Sequence, residues 1–98
     1  MSKCNLLFQA SQLPDSWRST IIGKAAGANV KVLRMDELPY PNETHDFDET
    51  LLVLEGQLNL QIHNEVVAVQ QGWVYIVPAG TPHAVAQGSK GALVIIDR

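Results

Sequence analysis

Two segments about thirty residues apart carry the side chains best suited to chemistry: Glu43-Thr44-His45-Asp46-Phe47-Asp48-Glu49 and Pro78-Ala79-Gly80-Thr81-Pro82-His83. Together they hold two of the three histidines and a cluster of carboxylates. Glu43, His45 and Glu49 stand at even offsets. A strand sends every second side chain to the same face, so all three can look inward together. In the second segment a turn delivers His83 to the start of another strand. Imidazole nitrogen with carboxylate oxygen is a ligand mixture suited to Fe(II), Mn(II), Zn(II), Ni(II) or Cu(II), and two His with one carboxylate is the composition of the non-haem iron facial triad. The leading reading is therefore one divalent-metal site made by His45, Glu49 and His83, with Glu43 beside them.

The elements that must position these groups are strands. From Val30 onward, short β-type runs alternate with turn signals, the pattern of a sandwich or barrel. Two earlier strands are expected over Ser19–Lys24 and Asn29–Met35, after a loop at Leu13-Pro14-Asp15-Ser16-Trp17. Asp36–Asn42 carries Pro39 and Pro41 and lacks two amide donors, so it is a connection or an edge. Thr50–Leu54 is apolar on both faces, and Glu55-Gly56 is expected to end it with a turn. Leu58, Leu60 and Ile62 alternate with Gln57, Asn59 and Gln61, giving one buried and one wet face. His63-Asn64-Glu65 turns the chain into Val66–Val69. Trp73–Val77, His83–Ala86 and Ala92–Ile96 complete about eight strands, near the number of a jelly roll.

Gly80 falls where a type II turn needs positive φ, and Pro82 stiffens the backbone just before His83. A ligand on a pre-set backbone loses less entropy on binding metal. Asp46 and Asp48 stand at odd parity and are expected to point away from the site, and His63 belongs to an exposed hairpin tip. Trp73, Tyr75 and Val77 share one strand face, read as core or dimer packing. Trp17 reads as a packing anchor.

Composition narrows the function classes. Ninety-eight residues, 46% hydrophobic and 17% charged, suit one globular domain over 1–98. No apolar run approaches the ~18 residues of a membrane span, and the first ten residues lack a full secretory h-region, so a cytoplasmic location is expected. Seven basic against ten acidic residues give a net charge of -3 without a basic stripe, which argues against nucleic acid. Cys4 alone forms no internal disulfide.

The two segments resemble the motifs of the cupin superfamily. The second half of the first motif is present as His45, three residues, Glu49, six residues, Gly56; the second motif as Gly72, five residues, Pro78-x-Gly80, two residues, His83. The chain departs from the pattern at Glu43, where the family has its first histidine, and at Gln87, where it has an asparagine. The resemblance implies an all-β, antiparallel jelly-roll β-barrel over about residues 30–96, preceded by an N-terminal arm over 1–29, with metal near the barrel centre. With Glu43 bound, two His and two carboxylates favour Mn(II), Fe(II) or Zn(II). With Glu43 unbound, a facial triad remains and Glu43 is free to act as a general base.

A small single-domain cupin is thus expected to hold a divalent metal and a small polar or anionic molecule. The work would be of the metal-dependent isomerase or dioxygenase kind. The alternative is a non-catalytic binding or sensing module, since neither motif contains an Arg or Lys to clamp an anion; the nearest are Lys31, Arg34 and Lys90. A homodimer is expected, because the doubly apolar strand 50–54 offers more surface than one small barrel covers.

Overall fold

Alternating side chains become eight antiparallel strands in a computed structural model, which describes residues 3–98. The strands are β1 (Thr20–Ala25), β2 (Ala28–Asp36), β3 (Tyr40–Glu43), β4 (Glu49–Ile62), β5 (Glu65–Gln70), β6 (Val74–Val77), β7 (His83–Val85) and β8 (Lys90–Asp97). They form one curled sheet in the order β1-β2-β8-β4-β7-β3, with β5 and β6 also pairing with β4. The architecture is a jelly-roll β-barrel. Its organising element is the fourteen-residue β4, which pairs with β8 and β6 over its first half and with β5 and β7 over its second.

Parity along the strands decides what lies inside. Leu51 and Val53, then Leu58, Leu60 and Ile62, place buried side chains from β4 in the interior, joined by Leu33 and Met35 of β2 and by Leu93 and Ile95 of β8. Opposite parity faces outward. There Val32 and Ala92 are covered by Ala10 of α1 (Leu6–Ser11), flanked by the half-buried Leu6, Ile22 and Leu54. This helix was not legible in the sequence, because six residues are too few to show a helical period. Local chemistry and packing make it: the Asn5 side chain caps it by accepting from the Phe8 amide, and Arg34 of β2 donates to the carbonyls of Ala10 and Leu13 at its end.

Two expectations are corrected. Glu55-Gly56 does not end a strand; β4 runs straight through it, and the pairing with β8 shifts register between Val53 and Glu55. Just beyond the shift the two backbones run close together. Gly56 and Gly91 face each other, both at positive φ (83° and 108°). A Cβ on Gly56 would overlap the Lys90 carbonyl, and one on Gly91 the Glu55 carbonyl. The bulge lets one long strand change partners without breaking. Trp73, read with Tyr75 and Val77 as core or dimer packing, precedes β6 and at 65% exposed is no part of this chain's core, whereas Val77 is buried and Tyr75 packs against the core.

Pro41 falls in β3, which lies at the end of the sheet, where a missing amide donor is tolerated. Eight strands are present, as the pattern predicts, but by a different count: two expected strands merge into β4, and the edge segment supplies β3. No helix of the described residues is long and apolar enough to cross a membrane.

The crowded glycine pair gives a stability test. Gly91→Ala should cost roughly 2–5 kcal/mol, combining left-handed backbone strain with overpacking against backbone that cannot step aside. Gly80→Ala, also at positive φ but with no atom within 4 Å of the added methyl, should cost only the backbone share, about 1–2 kcal/mol. Urea unfolding of both variants measures the difference, and equal losses would contradict this account of the bulge.

Candidate metal centre

The two chemistry-bearing segments meet because their loops are tied together. The Gly80 amide donates to the His45 carbonyl at 2.7 Å, and the Ala79 amide donates to the Asp48 carboxylate at 2.9 Å. Asp48 therefore points away from the barrel interior but still shapes the site, by holding the turn that carries His83. Gly80 has the positive φ that its place in the turn requires, 79°. The ring of Phe47 stacks on His45, with centroids 4.9 Å apart and planes 12° from parallel, which restrains the imidazole from one side. Asp46 is exposed, and His63 is an exposed turn residue at positive φ beyond the end of β4.

His83 opens β7 between two strands. It is opposite Glu43 of the edge strand β3 and opposite Ile62 at the far end of β4. Glu49 begins β4, and the curl of the sheet brings its carboxylate to His83 Nε2 at 3.1 Å. His45 Nε2 lies 3.7 Å from Glu49 Oε2 and 3.7 Å from Glu43 Oε2. Donor atoms of Glu43, His45 and His83 all fall within 4.8 Å of one another. The structure thus brings together all four residues singled out in the sequence. Glu49 and His83 are buried, whereas Glu43 stands at the rim with 42% of its side chain exposed.

Hydrogen bonding shows what the cluster lacks. His83 Nδ1 is 3.0 Å from the Thr81 carbonyl, which can only accept, so that nitrogen carries the proton. In the neutral ring Nε2 then presents a lone pair to the Glu49 carboxylate. His45 Nε2 is buried without a hydrogen-bond partner. Glu43, His45 and His83 thus form one donor group, and Glu49 contacts both imidazoles, at 3.1 Å and 3.7 Å. Buried donors without partners are satisfied by a cation placed among them. The donors fit a metal: nitrogen and oxygen ligands on several strands, with the Thr81 carbonyl orienting one imidazole from behind.

The cluster forms one end of a cavity of about 350 Å³. Apolar side chains such as Leu51, Leu60 and Ile95 line its depth, and Trp17 and Tyr40 form an aromatic wall with ring centroids 5.6 Å apart. Trp17 is an anchor within its own chain: its indole donates to Asp36 at 2.6 Å, and its backbone amide donates to the Arg34 carbonyl. Lys31 and Asp97 line the same cavity as an ion pair. Both residues lie outside the two motifs, so motif spacing does not mark them; the sequence signal for Lys31 is parity, since it shares the inward face of β2 with Leu33 and Met35.

No curated protein matches the chain, but solved structures share its fold. A cupin-2 domain protein from Shewanella frigidimarina superposes with a TM-score of 0.86 at 24% identity, covering 97% of this chain and 94% of that one. A Neisseria meningitidis protein gives 0.83 at 21% identity, with 98% of each chain covered. A cupin superfamily protein from Desulfitobacterium hafniense gives 0.76 at 18% identity, over 99% of this chain and 91% of that one. A family model described as the cupin domain matches residues 36–97, a span that includes every residue of the His and Glu cluster, and on that match the chain belongs to the cupin family.

Proposed function

We propose that this cupin holds one divalent metal ion at the mouth of its barrel and binds a small polar or anionic molecule in the adjoining cavity. The observation that supports this most directly is the buried, partnerless His45 Nε2 facing two carboxylates. His45, Glu49 and His83 are the ligands, and Fe(II), Mn(II) or Zn(II) suits a set this rich in oxygen donors. Such an ion supplies Lewis acidity to an oxygen atom of the bound molecule. Glu43 sits on the edge strand at the rim, placed either to add a fourth ligand or to move a proton as general base. Turnover of the isomerase or dioxygenase kind needs such a base or an open metal position; a sensing module needs neither.

Elemental analysis of the purified protein, and of variants reloaded with Mn(II), Fe(II) or Zn(II), tests the site. His45→Ala and His83→Ala should lower metal affinity by more than the ~10–100-fold that loss of a mere supporting partner causes, while circular dichroism shows the barrel intact. His63→Ala should change nothing. Retained metal should fall on acidification, because protons compete with the ion for the imidazole nitrogens. Glu43→Gln separates its two roles: as a ligand its loss weakens metal binding, and as a base its loss leaves metal in place and slows turnover by roughly 10²- to 10⁴-fold. Wild-type protein that takes up none of the three ions would end the metal reading.

We also propose a homodimer formed through the outer face of the sheet. Ile76, Thr50 and Ile96 lie side by side across β6, β4 and β8, with Val74 and Leu52 in the next row. Val74, Ile76 and Ile96 are exposed there, and α1 covers a different part of this face. Clustered apolar side chains at the centre of a sheet face favour a partner surface of the same kind. Light scattering at micromolar concentration should give twice the monomer mass, and Ile76→Lys should shift it towards monomer. A monomeric wild type would rule this interface out.

A further inference from the structure

Lys31 is an ammonium placed in the inner layer of a small barrel, and its surroundings give it one acidic partner. Its Nζ lies 2.6 Å from Asp97 Oδ2, with 20% of the lysine side chain and 5% of the aspartate side chain exposed. Asp97 is further braced by the Asn29 amide at 3.5 Å. An ion pair in such a place is a poor stability device, because desolvating both charges offsets most of their attraction. An ammonium has three donors, and Asp97 is the one carboxylate within ion-pair distance of this one among the described residues.

The register shows where the pair lies. Asp97 follows Ile96, the partner of Thr50, so it stands one strand over from Glu49, about 5 Å away along the backbone hydrogen-bond direction. Lys31 reaches across from β2 to this same layer. Both residues line the cavity that Glu43, His45, Glu49 and His83 close at one end.

Charge points to the kind of ligand. Lys31 is the half-buried cation of the cavity lining, whereas Arg98 is exposed, and a carboxylate is the strongest hydrogen-bond complement of an ammonium. We infer that Lys31, held in place by Asp97, is the anchor for the carboxylate of a small organic acid, whose other polar end lies at the histidine and glutamate cluster. This rests on the small-molecule reading of the cavity and gives it a substrate class. It also supplies the cation that both sequence motifs lack.

The test compares acids with their neutral amides in nuclear magnetic resonance titrations of the full chain, loaded with diamagnetic Zn(II) and also metal-free. The probes are acetate and pyruvate against acetamide and pyruvamide. The acids should bind wild type about tenfold or more tightly than the amides, the scale of one charge-assisted hydrogen bond, with amide shifts centred on Lys31 and Asp97. Lys31→Met, which keeps the stem and removes the charge, should abolish the preference, and Lys31→Arg should keep it. Bound Zn(II) by elemental analysis should be the same in all three proteins. If Lys31→Met fails to fold, the double change Lys31→Met with Asp97→Asn removes the stranded carboxylate and should show the same loss. Acids that bind no better than amides, or not at all, would overturn the proposal. So would a preference that survives Lys31→Met, which would place the carboxylate on the metal cluster. The metal reading stands or falls separately: wild type that takes up no metal but keeps a Lys31-dependent acid preference sinks that reading alone.

Discussion

The contact on which the site depends is made by Glu49, whose buried carboxylate lies 3.1 Å from His83 Nε2 and 3.7 Å from His45 Nε2. The folded chain by itself brings these groups together. An assembled site still carries a cost. Each desolvated polar group without a partner forfeits free energy that the surrounding leucines and valines must offset. On the metal reading proposed above, an ion that binds only the folded chain would recover that loss and stabilise the barrel.

The barrel builds the site through one strand. Glu49, the first residue of β4, is a donor, and Ile62, its last, is opposite His83. Both ends of β4 therefore come near the same imidazole. A straight fourteen-residue strand would hold its ends more than 40 Å apart, so β4 must curl strongly, and its pairing with β8 shifts register between Val53 and Glu55, just before the Gly56–Gly91 contact. The loop stitches from Gly80 and Ala79 to the His45 segment then fix the remaining freedom. Neither the bulge nor the stitches touch the donor atoms, yet each determines where those atoms lie.

What the sequence disclosed follows from which forces are local. Alternation in Leu58, Leu60 and Ile62 and the turn chemistry of Pro78–Gly80 are near-neighbour signals, and they lead to the strands and to the His83 turn. Even spacing predicted that Glu43, His45 and Glu49 share a strand face; they come together instead from an edge strand, a loop and a strand start, so strand parity is not what assembles them. The Glu55-Gly56 pair was misread because glycine signals a turn and a close backbone approach equally well, and only the partner strand distinguishes them. Lys31 and Asp97 were invisible as a pair because sixty-six residues separate them, and no local rule links β2 to β8.

Strand parity does grade the cavity. Along the inward face of β4 the order is Glu49, Leu51, Val53; along β8 it is Asp97, Ile95, Leu93; along β2 it is Lys31, Leu33, Met35. Each series starts charged and becomes apolar two residues on. Because β8 and β4 are in register at Ile96 and Thr50, the charged residues of these two strands lie in one layer. On β2 the residue opposite Asp97 is Asn29, and Lys31 starts one row lower, opposite Ile95, so its ammonium reaches up to the carboxylate of Asp97 from an apolar row. Strand parity and register thus set the polar edge of the cavity, and the long stem of Lys31 is what lets a residue of the apolar row contribute charge to it.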